Sequence, residues 1–272
     1  MNMVSLRQSP PEGATFQPSL PLEPSSSGFW VDSPVRRGFC NVPSSRKPHD
    51  ALNTFMLDEI PLVGDYEIPL LQPCTAIPPS VIAFSEAMCK SVLAPESWVH
   101  FFEDDSKFER IWRQPTKYLE RLRNFAGVIM PDFSTYENMA QFQQIVNCSR
   151  NFQLAAWLQH EGIQVIGNSR WNGPGTESWS TIGLPLHSSI CLSAHGMQHD
   201  NWSIGRLRAE VHYLCVEKQP QNLLIYGSPR SGVYDEAVEH NVAVYFYRPD
   251  TWVRSKYRGA ATVLCSDIDR AS

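Results

Sequence analysis

The chain has no C-x-x-C pair, no stretch approaching 18 apolar residues and no excess of positive charge. Each absence excludes something. The seven cysteines are odd in number and widely spaced, which fits reduced thiols and argues against a disulfide framework. Without a long apolar run, no transmembrane helix and no membrane partner are expected. The N-terminal MNMVSLRQSPPEG lacks an apolar run of signal-peptide length, so the cytoplasm is the expected location. A formal net charge of −5 gives no general attraction to phosphate backbones. Non-specific nucleic-acid binding is therefore disfavoured, although a local basic patch stays open. No G-x-S-x-G, H-E-x-x-H or dinucleotide fingerprint occurs. Gly173-Pro174-Gly175-Thr176 is no phosphate loop, because no Lys follows and no strand leads into it. The sequence names no cofactor.

What is present suits one well-buried domain with tails. Residues 1–50 hold eight prolines and nine serines without apolar periodicity, and a disordered tail is expected there. The apolar patch Gly28-Phe29-Trp30-Val31 is either a docked clip or a short binding motif. Residues 51–95 are apolar but interrupted by prolines, so they should form an irregular arm packed on the core. Within the arm, residues 79–88 suit either a short helix capped by Ser80 or a strand through Val81–Phe84. Residues 96–258 carry the core, and 259–272 should fray.

The core repeats a phrase. Asp104-Asp105-Ser106-Lys107-Phe108-Glu109 and Asp132-Phe133-Ser134-Thr135-Tyr136-Glu137 both read D-x-S-x-aromatic-E. Each follows a short apolar run and precedes helical spacing, with Ser106 and Ser134 placed as capping-box residues. Pro115 should divide the first helix, and Gly162 should end the second. Six strands are expected, at Trp98–Phe102, Ala126–Met130, Ile163–Ile166, Ser188–Ser193, Asn222–Tyr226 and Val242–Tyr247. Alternation with helices implies an α/β fold of repeated βα units. Its sheet should be mainly parallel and either open or curled into an incomplete (β/α) barrel, and the barrel-like form is preferred.

In either form ligands bind at the carboxyl ends of the strands. Those ends supply Asp104, Asp132, Ser134, Arg170, Trp171, His195, Tyr226 and Arg230. Asp104, Asp132 and His195 are the candidate catalytic residues. The other five are candidate ligand contacts. Asp104 and Asp132 also suit helix caps, where a carboxylate complements the helix dipole. Arg170 ends a buried strand and needs a charge partner, which Asp104 or Asp132 could supply; an anion-binding role is the competing reading. His195-x-x-x-His199 suits a metal only on one helical turn, and Gly196 between them argues against that. His195 as a general base is preferred, and no metal site is expected.

The runs Val99–Asp105 and Pro131-Asp132-Phe133-Ser134, with Arg170-Trp171 and Tyr226-Gly227, resemble an uncharacterised family of bacteria, phages and mobile elements, a domain of unknown function. The likeness covers roughly residues 55–250 and implies a phage or mobile-element setting, with no substrate or catalytic role. Two functions stay open. One is an enzyme or small-molecule-binding domain, for a phosphate- or nucleotide-like ligand, with its site at the strand ends. The other is a non-catalytic phage or mobile-element accessory that binds a protein or nucleic acid. The oligomeric state is not legible.

Overall fold

In the computed structural model, residues 50–89, 91–194 and 200–249 are described, with the backbone of a further strand at 262–264. The arm begins with a 3-10 turn at Thr54–Leu57 and a ribbon of β1 (Leu62–Val63) antiparallel to β2 (Ile68–Pro69). The chain then lays down β3 (Ser80–Ala83), β4 (Ser97–His100), β5 (Gly127–Ile129), β6 (Val165–Asn168), β7 (Ser189–Ser193), β8 (Asn222–Tyr226) and β9 (Ala243–Tyr247). These seven strands lie side by side in chain order, and every neighbouring pair is parallel. A final strand, β10 (Thr262–Leu264), pairs antiparallel with β9.

Strict chain order has a geometric consequence. Right-handed crossovers that always step the same way put every helix on one face of the sheet. The sheet then twists and curls around its other face, as in a barrel that stops short of closing. The result is a half-barrel flanked by helices, which settles the choice between open sheet and incomplete barrel. The helices are α1 (Phe84–Ala87), α2 (Asp105–Arg113), α3 (Pro115–Leu122), α4 (Gln141–His160), α5 (Glu177–Ser180), α6 (Asn201–Tyr213) and α7 (Asp235–Glu239). A π-helical turn, Leu214–Lys218, continues α6. Among the described residues, no helix is long and apolar enough to cross a membrane.

Two apolar clusters cover the two faces. Between sheet and helices, Val99, Phe101, Val128, Ile190 and Leu223 pack with Phe108, Phe152 and Leu207. On the concave face, Trp98, Ile129, Ile166, Cys191, Leu224 and Tyr226 form a second cluster. Strands covered on both sides read as continuous apolar runs, which is how β7 and β8 look in the sequence.

The arm fills part of the missing wall. Ser189 N donates to Cys74 O at 2.8 Å, Ser188 Oγ donates to Cys74 O at 2.7 Å, and Tyr247 Oη donates to Pro78 O at 2.9 Å. These bonds tie residues 74–78 to β7 and β9, while Cys74, Ala76 and Val81 pack on the concave cluster. The ambiguous stretch 79–88 contains both elements, a strand over Ser80–Ala83 and then α1. Ser80 shares a hydrogen bond with Ser97 Oγ at 2.8 Å and caps no helix.

The repeated phrase folds in two ways. The first copy opens α2 two residues earlier than expected, with Asp104 rather than Ser106 at the N-cap position. The second copy opens no helix, and α4 starts only at Gln141, after Ala140. Neighbouring side chains explain the difference. Phe133 N donates to Asn151 Oδ1 at 2.7 Å, and Ser134 N and Oγ donate to Asp105. Asn147 Nδ2 donates to Ser134 O at 2.7 Å. With its amides already engaged, the segment forms no helix. The later start also resets the buried stripe of α4, which runs through Gln144, Cys148, Asn151 and Phe152. Phe142 and Val146, although apolar, are exposed on the opposite side. Pro115 does divide the first helical segment, as the first residue of α3, and Gly162 follows α4 with φ +84°.

One position shows how tight the concave face is. Gly127 on β5 pairs with Trp98 on β4, and a Cβ at residue 127 would lie 2.5 Å from the indole ring. Gly127→Ala should therefore cost about 1–3 kcal/mol through overpacking, read as a lowered midpoint in urea unfolding.

Candidate functional site

Where the strands end, the segments after β3, β4, β5, β6 and β9, the last residues of β7 and β8 and the inner side of α6 surround a cleft of about 1150 Å³. Two buried carboxyls lie in its wall, and the end of β6 serves both. Side chains alternate along an extended segment. Of the four residues from Asn168 to Trp171, one alternating pair meets Asp132 and the other meets Glu210. Asn168 Nδ2 donates to Asp132 Oδ1 at 2.7 Å, and Arg170 Nε forms a salt bridge with the same oxygen. Ser169 Oγ donates to Glu210 Oε1 at 2.6 Å, and Trp171 N donates to it at 3.3 Å. Asp132 is 5% exposed and Glu210 4%.

Burial raises the pKa of both carboxyls. For Asp132 the desolvation is opposed by the Arg170 charge and by the hydrogen bonds from Arg170 and Asn168. For Glu210 it prevails over the Ser169 and Trp171 donors and the charges of Arg170 and Arg206, pushing the group up to about 7. Glu210 is thus the described carboxyl of the cleft best placed to exchange a proton near neutrality. Among the described residues, no hydrogen bond reaches its Oε2.

A family model described as Domain of unknown function (DUF4417) matches residues 60–254. The chain belongs to the DUF4417 family. Among curated proteins it is similar to the Gene 1 protein of Mycobacterium phage D29, with 29% identity over 75% of this chain and 71% of that protein. It is also similar to the Gene 1 protein of Mycobacterium phage L5, with 32% identity over 61% of this chain and 72% of that protein. No solved structure matches it.

The DUF4417 half-barrel brings Asp104, Asp132, Ser134, Arg170, Trp171 and Tyr226 to the walls of this one cleft. Their settings differ. Asp104 is exposed and paired at 3.8 Å with Lys107, so it does not form a matched buried pair with Asp132. Of the two partners open to Arg170, Asp132 is the one it takes. Ser134 is held by Asp105. Trp171 is nearly buried, stacked on Tyr213 at 5.5 Å, with its Nε1 donating to Glu177 at 2.9 Å. Tyr226 stacks with Phe102, ring centres 4.7 Å apart. Arg230 is exposed in the segment after β8 and is not part of the described wall. His195 and His199 lie outside the described residues, and Asp200 caps α6 by accepting from Ser203 N at 2.9 Å. Among the described residues, no group of three or more His, Cys, Asp or Glu side chains could hold a metal ion.

Glu210 is the residue that sequence reasoning passed over. The signal was available, because Glu210 lies between Leu207, Val211 and Leu214 on the buried stripe of α6. An acid on an apolar stripe needs donors, and the polar end of β6 provides them.

Glu210 makes a pH prediction with a definite sign. Its folded pKa of about 7 lies above the ordinary 4.5. Its contribution to stability is then fully present below pH 4.5 and is lost as the pH rises through 7. The loss should be roughly 3 kcal/mol. In Glu210→Gln the difference in unfolding free energy between pH 5 and pH 8 should shrink by about that amount, measured by urea unfolding at both values.

Proposed function

We propose that this protein binds a small polar ligand in the strand-end cleft and acts on it by proton transfer. The observation that carries this reading is the presence of two buried carboxyls, Asp132 and Glu210, in the wall of one open cleft. Charge pairs that bury a carboxylate, such as Asp132–Arg170, contribute little net stability compared with apolar packing. Placing one beside solvent-accessible space fits a role in orienting a ligand, with Asp132 and Arg170 as its fixed polar anchor. Ser134, Tyr226 and Trp171 frame the same space. Asp104, at the rim, has at most a steering role. Arg230 and His195 remain candidates from strand-end position alone. A cytoplasmic location accords with this reading.

The identity of the relatives supports a second reading, that of a non-catalytic accessory in a phage or mobile-element setting, binding protein or nucleic acid. The names of those relatives state no activity. A net charge of −5 favours a protein over a nucleic acid as the partner in that case.

A thermal-shift screen of the full-length chain separates the two. The probes are nucleosides, nucleotides, sugar phosphates, amino acids and divalent cations. At a hundredfold excess over Kd a ligand stabilises by about 2.7 kcal/mol, a rise of several degrees in Tm. At least one probe should produce such a rise, and folded Asp132→Asn should lose it while Asp104→Asn keeps it. If no probe shifts Tm, or if both variants respond like the parent, the cleft reading fails and the accessory reading takes its place.

A further inference from the structure

The cleft's charges constrain what it can bind. Among the described residues its wall holds six carboxyls, on Glu86, Glu103, Asp104, Asp132, Glu137 and Glu210, against three cations. All three cations are already engaged: Lys107 with Asp104, Arg170 with Asp132, and Arg206 with Glu137 at 3.6 Å. A ligand recognised through its phosphate would have to enter an acidic cleft whose cations face other carboxylates. The sequence-based expectation of a phosphate-bearing ligand finds little support in that arrangement.

The remaining features favour a different part of a ligand. Glu210 is more than nine-tenths buried, its Oε1 is held by Ser169 and Trp171, and its Oε2 has no partner among the described residues. A carboxylate oxygen of a largely buried side chain that opens to a cleft is a strong acceptor for an N–H group. Trp202 lies on the same helix two turns earlier and is 57% exposed at the cleft. The Arg206 guanidinium sits 5.1 Å from the centre of the Trp202 ring. A second groove, of about 580 Å³, continues past Trp202 and Arg206 to Gly173 and Pro174. An exposed indole and an open acceptor, two helical turns apart on the wall of one cleft, suit a flat ring with polar edges.

We propose that the cleft recognises a planar heterocycle bearing N–H donors, such as the base of a nucleoside, with Glu210 accepting from its edge and Trp202 stacking on its face. The proposal rests on the cleft reading above and specifies its ligand class. The recognising form of Glu210 is the ionised one. The charged groups that face it are Arg170, at the end of β6, and Arg206, one turn earlier on α6. Binding should therefore strengthen as the pH rises from 6 to 8, because the group loses its proton near 7.

The test is isothermal titration of the full-length protein with adenosine, guanosine, cytidine, uridine and inorganic phosphate at pH 6 and pH 8. At least one nucleoside should bind, more tightly at pH 8. Glu210→Gln should weaken it roughly 10- to 100-fold and remove the pH dependence, the loss expected for a hydrogen bond to a charged acceptor. Trp202→Ala should weaken it about tenfold or more, with the circular dichroism of both variants unchanged. Three results overturn the proposal. They are binding of phosphate but of no nucleoside, no binding of any nucleoside at millimolar concentration, and nucleoside binding that Glu210→Gln leaves intact. If the wider thermal-shift screen still finds an Asp132-dependent ligand, only the heterocycle assignment falls. If that screen is also silent, the cleft reading falls with it.

Discussion

The salt bridge between Asp132 and Arg170 is the constraint to which the rest of the cleft is fitted. It joins the end of β5 to the end of β6, and Asn168 completes the donors around Asp132. The Asp132 carboxylate is removed from water and needs the Arg170 guanidinium, which is 26% exposed, since alone it would face an uncompensated desolvation of several kcal/mol. The pair therefore fixes where both strand ends lie. Once Arg170 is turned toward Asp132, strand alternation turns Ser169 and the Trp171 amide toward Glu210. The position of α6, and of the Trp202 and Arg206 it carries, follows from that second contact.

The fold makes this convergence possible. A parallel sheet laid down in chain order presents all its strand ends along one curved rim, with helices on the outside only. The loops after successive strands then converge around the rim's concave side. The arm ties residues 74–78 to β7 and β9 and covers part of the concave surface that a closed barrel would fill with further strands. Membership of the DUF4417 family, with relatives among mycobacteriophage Gene 1 proteins, fixes ancestry without naming a reaction. Chemistry has to be argued from the cleft itself.

Much of the fold was legible because buried parallel strands announce themselves as short apolar runs, and all six expected strands are present. Their polar ends located the rim, and six of the eight candidate residues line one cleft. What was not legible depended on distant partners. The phrase at 132–137 has the spacing of a helix start, yet Asn147 and Asn151 on α4 and Asp105 on α2 occupy its backbone groups. Nothing local to the phrase distinguishes it from its copy at 104–109. Glu210 was hidden for the opposite reason, because the apolar residues around it marked its face as core. Whether Arg170 would take Asp104 or Asp132 was likewise decided by tertiary geometry, which buries one carboxyl and leaves the other in solvent.

A double-mutant cycle with Asp132→Asn and Arg170→Met, followed by urea unfolding of the full-length chain at pH 7, tests most directly whether the pair organises the cleft. If it does, the coupling energy should be about 2 kcal/mol or more, because the Arg170 variant leaves the Asp132 carboxylate buried without its partner and the double variant relieves that cost. A coupling below about 0.5 kcal/mol, with additive single effects, would mean that the two groups do not depend on each other. The cleft would then have no fixed polar anchor on which to orient a ligand.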